Sequence, residues 1–418
     1  MSRKQGKLEP QLRFSNFTNH WSKQNLGELC DKIQDGNYGE SYPKSDEFLD
    51  TGIPFLTSKA ISKTGEIIKS KVDHISPEKH TQLAKAHLKI NDVLFTNRGA
   101  NVGVIGFVDN TISNGNIGPQ LTLLRANGKV ILPLFLKYYM NTYAFQKQVH
   151  SQDSGSAMNF FGIGETKKFI IYVPLIAEQE KIGSFLGTID TRLTQLRRKH
   201  ELLQTYKRGV MQKLFSQQIR FKGDDGKPFP DWQKKKLGEI ASRQVKKNLD
   251  ESITRVLTNS AVQGVIDQQD YFDKDIANAD NLAGYYIIEK GDYVYNPRIS
   301  TSAPVGPIHK NKIGLGVMSP LYTVFRFKTK EDAFYEQLFK TSVWHKYMCS
   351  VANYGARYDR MNITTSDFMA LPLPYPISEE QEKIVDFLTA MDQKIEAIAQ
   401  QIQLTEQYKK GLLQKMFV

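Results

Sequence analysis

Apolar positions along the chain fall into two patterns. Between residues 178 and 215 they step alternately by four and three, through Ile182, Leu186, Ile189, Leu193 and Leu196 and on to Leu203, Val210 and Leu214. The stepping returns between 380 and 417, from Ile384, Leu388, Met391, Ile395 and Ile398 to Leu412 and Met416. A 3.5-residue apolar repeat makes a narrow stripe that seeks another helix, the seam of a coiled coil. At 1.5 Å per residue each helix would be roughly 57 Å long. The polar interruptions His200, Lys207, Thr405 and Lys409 read either as residues that pin register or as a solvated end of the stripe.

Elsewhere short apolar runs are punctuated by Gly, Asn and Pro, which predicts strands. They lie at 53–57, 92–96, 102–108, 120–125 and 169–173, with a helix over 133–149. Later in the chain strands are expected near 253–258, 285–295, 321–327 and 368–373, with a helix near 331–350. The predicted fold class is mixed α/β: two globular strand-rich heads separated by two long helices. The helices either pair with each other as an antiparallel coiled coil or each pair with another chain. The expected boundaries are 1–175 for the first head, 176–216 for the first helix, 217–374 for a Gly- and Pro-bearing link and the second head, and 375–418 for the second helix.

The halves repeat. Glu178-Gln179-Glu180-Lys181-Ile182 returns 202 residues later as Glu380-Gln381-Glu382-Lys383-Ile384, and without a gap 15 of 38 positions are identical, which marks a duplication. In the heads, Leu12-Arg13-Phe14 parallels Ile219-Arg220-Phe221, and Trp21 with Leu26-Gly27-Glu28 parallels Trp232 with Leu237-Gly238-Glu239. Asn91-Asp92-Val93 parallels Gly291-Asp292-Tyr293, Asn97-Arg98 parallels Pro297-Arg298, and Pro119 to Arg125 parallels Pro320 to Arg326. Residues 30–90 and 241–290 diverge almost completely. A shared frame with divergent loops suggests two readers of one design with different targets.

A formal net charge of +12, spread along the chain, favours a polyanionic partner. The two cysteines, Cys30 and Cys349, lack metal or disulfide spacing, and no apolar run approaches 18 residues, so a cytosolic protein is expected. There is no GxxxxGK[ST] loop, no HExxH, and no strand–GxGxxG–helix unit. Asn296-Pro297-Arg298 lacks the second proline and the aromatic ring of an amino-methyltransferase loop and reads as a turn. His80 and His87 read as surface residues rather than metal ligands.

Nearly the whole chain resembles the specificity subunit of type I restriction–modification systems. The resemblance is carried by the frame above and by the step from Val173-Pro174-Leu175 into Glu178-Gln179-Glu180-Lys181-Ile182, repeated as Leu371-Pro372-Leu373-Pro374 into Glu380-Gln381-Glu382-Lys383-Ile384. It implies a non-catalytic subunit with two target-recognition domains and two helices packed antiparallel. Such a subunit reads a bipartite, asymmetric DNA site and recruits two methyltransferase subunits that use S-adenosylmethionine. Motor–nuclease subunits that use ATP and Mg join the same complex. The second head departs from the pattern by lacking the Pro54-Phe55-Leu56 element of the first. A fused restriction–methylation enzyme would need motifs this length cannot hold, and a plain coiled-coil scaffold would not need basic heads with matched polar loops.

Candidate DNA-contacting residues lie in polar loops. In the first head they are Asn37, Tyr38, Asn97, Arg98, Asn101, Ser154, Ser156 and Asn159. In the second they are Arg298, Ser300, Thr301, Ser302, Tyr354, Arg357, Tyr358, Arg360 and Asn362. Trp21 and Trp232 read as core anchors, and Lys234-Lys235-Lys236 as a solvated face or a phosphate contact. Tyr206, Lys207 and Arg208, repeated as Tyr408, Lys409 and Lys410, form a candidate duplicated dock for two identical partners, or simply shape the helix ends. If the helices set the gap between half-sites, inserting four residues between Leu196 and Leu203 adds about 6 Å and about 40° of rotation. The expected outcome is an altered gap or lost binding; an unchanged gap at full affinity, seen by sequencing methylated sites, refutes the ruler.

Overall fold

In the computed structural model, residues 9–151, 160–271, 282–329, 332–353 and 359–418 are described. The long helices run Ile176–Phe215 and Ser378–Lys415. The chain divides into two compact units, one of residues 1–198 with 399–418 and the other of residues 199–398. Each head therefore shares its unit with the first half of one long helix and the last half of the other. The apolar stripe dictates this: Ile182, Leu186, Ile189 and Leu193 share a buried core with Leu412, Met416 and Phe417 in the first unit. In the second, Ile384 and Leu388 share one with Met211, Leu214 and Phe215.

Within each unit the helix segments run antiparallel, and charge fixes their register. In the first, Asp190 accepts from Lys409, Lys137 and the Tyr138 hydroxyl. In the second, Lys207, buried, is paired with Asp392. Asp190 and Asp392 are equivalent positions of the repeat, as are Lys207 and Lys409. A one-turn slip would separate both pairs and bury an uncompensated charge. His200 and Thr405, also expected to pin register, are half-buried, and the Thr405 hydroxyl turns back to the Gln401 carbonyl of its own helix at 2.6 Å.

The first head is built on a four-stranded antiparallel sheet in the order Cys30–Asp35, Leu121–Ala126, Val93–Thr96, Ile105–Phe107. The second repeats it as Ala241–Arg243, Thr323–Phe327, Tyr293–Tyr295, Ile308–Lys310. Each sheet is fastened by one buried carboxylate: Arg125 grips Asp92 at 2.7 Å, and Arg326 grips Asp292 at 2.6 Å. Further pairings differ. The first unit adds a three-stranded sheet of Asp73–Ile75, Ile53–Leu56 and Asn116–Ile117, whereas the second adds the hairpin Leu257–Ser260 with Gly264–Asp267 and the pair Tyr286–Ile288 with Gly316–Met318.

The start of each long helix is tied down by a second repeated pair. Arg13 donates from Nε and Nη2 to the two oxygens of Glu178, both at 2.7 Å, and Arg220 does the same to Glu380 at 3.0 and 2.8 Å. Both carboxylates are buried. Trp21 is buried among Phe135 and Phe417, and Trp232 packs on Phe334 while its indole N–H donates to Glu380 at 2.8 Å.

Four expected elements come out differently. The helix over 133–149 is two, Pro133–Met140 and Tyr143–Ser151, and the helix near 331–350 is likewise Ala333–Leu338 and His345–Val351. The break carries a threonine each time: the Thr142 and Thr341 hydroxyls donate to the Tyr139 and Leu338 carbonyls, both at 2.7 Å, so a side chain competes with the backbone ladder. The run 285–295 is two strands parted at Gly291, whose φ of +100° no strand residue adopts. The run 368–373 begins as a short helix, Thr365–Met369, because Thr364 caps it, and only Pro372–Tyr375 is strand.

Glu178→Ala leaves Arg13 without its partner and is expected to cost about 3–5 kcal/mol. Breaking the exposed Lys59–Asp73 pair with Asp73→Ala should cost less than about 1 kcal/mol. Denaturant unfolding compares the two, and equal losses would refute the clamp. Burial pushes the Asp190 carboxyl up, but Lys137 and Lys409 outweigh it and hold it below the usual range. Its contribution is present above the ordinary carboxylate value of about 3.9 and lost as pH falls through the lower folded value. Asp190→Asn should therefore flatten the acid side of the stability profile, and an unchanged slope below about pH 4 would count against it.

Candidate nucleic-acid interface

In each head the central strand of the four-stranded sheet delivers an arginine to the surface. Strand Val93–Thr96 runs into Asn97 and Arg98, and strand Tyr293–Tyr295 runs into Asn296, Pro297 and Arg298. Asn97 departs from the expected surface contact. It is fully buried, and its amide donates to Asp35 at 3.2 Å and to the Thr122 hydroxyl at 2.9 Å. Thr122 in turn donates to Asp35 at 2.6 Å. An asparagine whose amide N–H groups are both committed inside the protein is a strut, not a reader of a ligand. Burial pushes the Asp35 carboxyl up, against hydrogen bonds from Thr122 and Asn97 and the charges of Arg98 and Lys85.

That strut supports a small basic and aromatic surface. The Arg98 guanidinium lies 4.4 Å from the centre of the Phe160 ring, and its Nε donates to Asn97 Oδ1 at 3.3 Å. Tyr38 is 64% exposed, with the Lys85 ammonium 4.8 Å from its ring centre. The loop bearing Asn37 and Tyr38 is pressed against 117–118, since a Cβ on Gly36 would lie 2.1 Å from the Ile117 carbonyl oxygen. Asn37 and Asn101 are half-buried beside this surface. Ser154, Ser156 and Asn159 lie outside the described residues. Lys85 was not among the expected contacts, because a single lysine in Ala84-Lys85-Ala86 carries no sequence signal.

The second head opens a cleft of about 330 Å³ at the corresponding place, lined by Asn259, Asn296, Arg298, Ser300, Tyr322 and Arg360 among others. Its floor is a different network. Asn259 donates to the Val294 carbonyl at 2.8 Å, its Oδ1 meets His309 Nδ1 at 2.7 Å, and the Asn296 amide donates to the Asn259 carbonyl at 2.9 Å. Burial pushes the His309 imidazole down, with Lys340 acting in the same direction. Ser300 lines this cleft and is exposed, and Thr301, Ser302 and Asn362 are exposed outside its lining. Tyr354, Arg357 and Tyr358 lie outside the described residues.

Of the candidate dock, Lys207 and Lys409 are engaged by Asp392 and Asp190 and are not free for a partner. Arg208 and Lys410 are exposed, and Tyr206 and Tyr408 are 58% and 57% exposed. One turn earlier Leu202 and Leu404 are exposed too. The Lys234–Lys236 run lies on strand Gln233–Lys236, with Lys235 over the Tyr375 ring at 3.6 Å. His80 and His87 stack at 4.0 Å and His80 is hydrogen-bonded to Asn116, while no cluster suited to a metal occurs among the described residues. Among these residues no helix is long and apolar enough to cross a membrane.

Comparison with known proteins agrees with the duplicated frame. A Methanocaldococcus jannaschii protein assigned as the MjaX type I restriction enzyme specificity subunit is 24% identical over 420 residues, spanning 94% of this chain and 92% of that one. The EcoBI specificity subunit of Escherichia coli is 26% identical over 162 residues, 39% of this chain and 33% of that one. Among solved structures, the type I restriction–modification S subunit from M. genitalium shares the fold with a TM-score of 0.56 at 16% identity, covering 98% of this chain and 99% of that one. Residues 19–204 and 230–407 each match the type I restriction modification DNA specificity domain, and the chain belongs to that family.

Proposed function

We propose that this chain is the sequence-reading subunit of a type I restriction–modification complex. Each unit reads one half of a bipartite, asymmetric DNA site. The observation that carries this is the combination of a shared four-stranded scaffold with different surfaces. The pairs Asp92–Arg125 and Asp292–Arg326 hold the same sheet in both units, yet one presents a stacked Arg98 over a filled interior and the other an open cleft. A scaffold that is kept while its polar surface changes suits two different base sequences. The net charge of +12 suits the phosphate backbone beside them.

Partners are assigned on the same ground. Leu202 with Tyr206, and Leu404 with Tyr408, are exposed pairs spaced one turn apart at equivalent positions of the repeat. One lies in each unit. Two equivalent apolar patches suit two copies of one partner, here the methyltransferase subunit, with restriction subunits joining the complex. The chain is read as non-catalytic and cytosolic. S-adenosylmethionine, ATP and Mg are assigned to the partners, since this sequence has no phosphate loop or glycine-rich cofactor loop.

Exchanging residues 21–175 for the same head of a relative should change one half of the methylated site and leave the other intact. Both halves changing together would defeat independent reading. Mass measurement of the assembled complex should find two methyltransferase subunits per chain, and Leu404→Glu with Tyr408→Ala should leave one. Retention of both subunits by that variant would exclude this patch as the dock.

A further inference from the structure

Backbone pairing places one residue pair at the same point of both units. In the first, Arg98 bridges to Phe160, and the Phe161 amide donates to the Asn97 carbonyl at 2.9 Å. In the second, Arg298 bridges to Arg360, and the Met361 amide donates to the Pro297 carbonyl, also at 2.9 Å. The two arginines are therefore equivalent by hydrogen bonding as well as by sequence. Their neighbours across the bridge are not: a benzyl ring faces one and a second guanidinium faces the other.

The surroundings hold the Arg98 guanidinium, whereas Arg298 is exposed and faces a carboxylate. Arg98 is stacked on Phe160, and its Nε is held by Asn97, whose own amide is committed to Asp35 and Thr122. Among the described residues Nη1 and Nη2 of Arg98 meet no protein acceptor. In the second unit one carboxylate, Asp359, lies 3.8 Å from Arg298 Nε and 3.9 Å from Arg360 Nε. It faces two guanidiniums, so a positive charge is left over at the mouth of the cleft. Here too the Nη atoms of Arg298 meet no acceptor among the described residues. A planar fork with Nε restrained and both terminal nitrogens open donates two parallel hydrogen bonds. Guanine presents the matching acceptors, O6 and N7, on one edge. A phosphate can take the same fork but carries no sequence information, so discrimination between bases separates the two contacts.

We infer that Arg98 and Arg298 are the equivalent base-reading arginines of the two units, each taking the O6/N7 edge of a guanine in its own half-site. Phe160 positions Arg98 by stacking, and Asp359 attracts Arg298 by charge. The inference rests on the DNA-reading function proposed above and goes further by naming the residue and the base.

The test uses the full chain assembled with its methyltransferase subunits. Methylation and binding are read on a library of duplexes in which each pair of the wild-type site is varied, at several salt concentrations. Arg98→Lys keeps the charge and removes the fork. It should lower discrimination at one G·C pair of one half-site by about tenfold or more, with the other half-site unchanged. Arg298→Lys should do the same in the other half-site only. Arg98→Ala should match Arg98→Lys in lost discrimination. A uniform loss of affinity across the library in Arg98→Ala, with a salt slope shallower by about one and discrimination kept, identifies a phosphate contact and overturns the inference. Unchanged discrimination in both lysine variants overturns it as well, and leaves the DNA-reading function standing if the wild-type complex still selects a two-part site. A wild-type complex that selects no such site removes both.

Discussion

A buried carboxylate at the head of each long helix organises this protein. Glu178 and Glu380 are removed from water and clasped by a two-pronged arginine from the segment that enters each head. An ion pair at such depth gains little net stability, since desolvation offsets most of the Coulomb attraction, but it tolerates no misplacement. It commits the chain entry, the strand pair beside it and the first turn of the helix to one geometry. Once that turn is placed, the seam follows: Ile182 and Leu186 enter one core, Ile384 and Leu388 the other.

Each head has a smaller core of its own, but the core around Trp21 in one and Phe334 in the other is shared with the long helices. Phe417, just past the second long helix, packs on Trp21 and Phe135, and Phe215 at the end of the first packs on Phe334, so each long helix at its end completes the unit in which the other begins. The exchanged ion pairs, Lys409 with Asp190 and Lys207 with Asp392, set the same register in both units. A duplicated sequence can satisfy both at once only if the two helix segments in each unit come from different repeats.

On this shared frame the surfaces differ through small interior changes. In the first unit Asp35, Thr122 and Asn97 fill the space beneath the arginine-bearing loop. In the second, Asn259 and His309 form a floor that leaves a cleft open above. The scaffold carboxylates Asp92 and Asp292 are untouched by this exchange, because they lie at the other end of the same strands. Surface chemistry can thus vary without loss of the fold.

Much of this was legible in the chain. The 3.5-residue period, its gapless recurrence and the matched Asp, Arg, Glu and Lys positions announce two long helices and a duplicated head, because helix period and residue identity are local properties. The breaks at Thr142 and Thr341, the helix capped by Thr364 and the split at Gly291 were not, since a single side chain competing for the backbone overrides an otherwise continuous apolar pattern. The sites needed tertiary structure for a stronger reason. Asn97 and Arg98 are adjacent polar residues that look alike in sequence, yet one faces Asp35, 62 residues away, and the other faces Phe160. Lys207 and Tyr206 are likewise neighbours, but only Lys207 meets an aspartate on the other helix. Sequence alone determined the two long helices and the frame that is repeated around them. Which polar groups are consumed inside and which remain open to a ligand was decided only when distant segments came together, because burial and partnering belong to the packed chain.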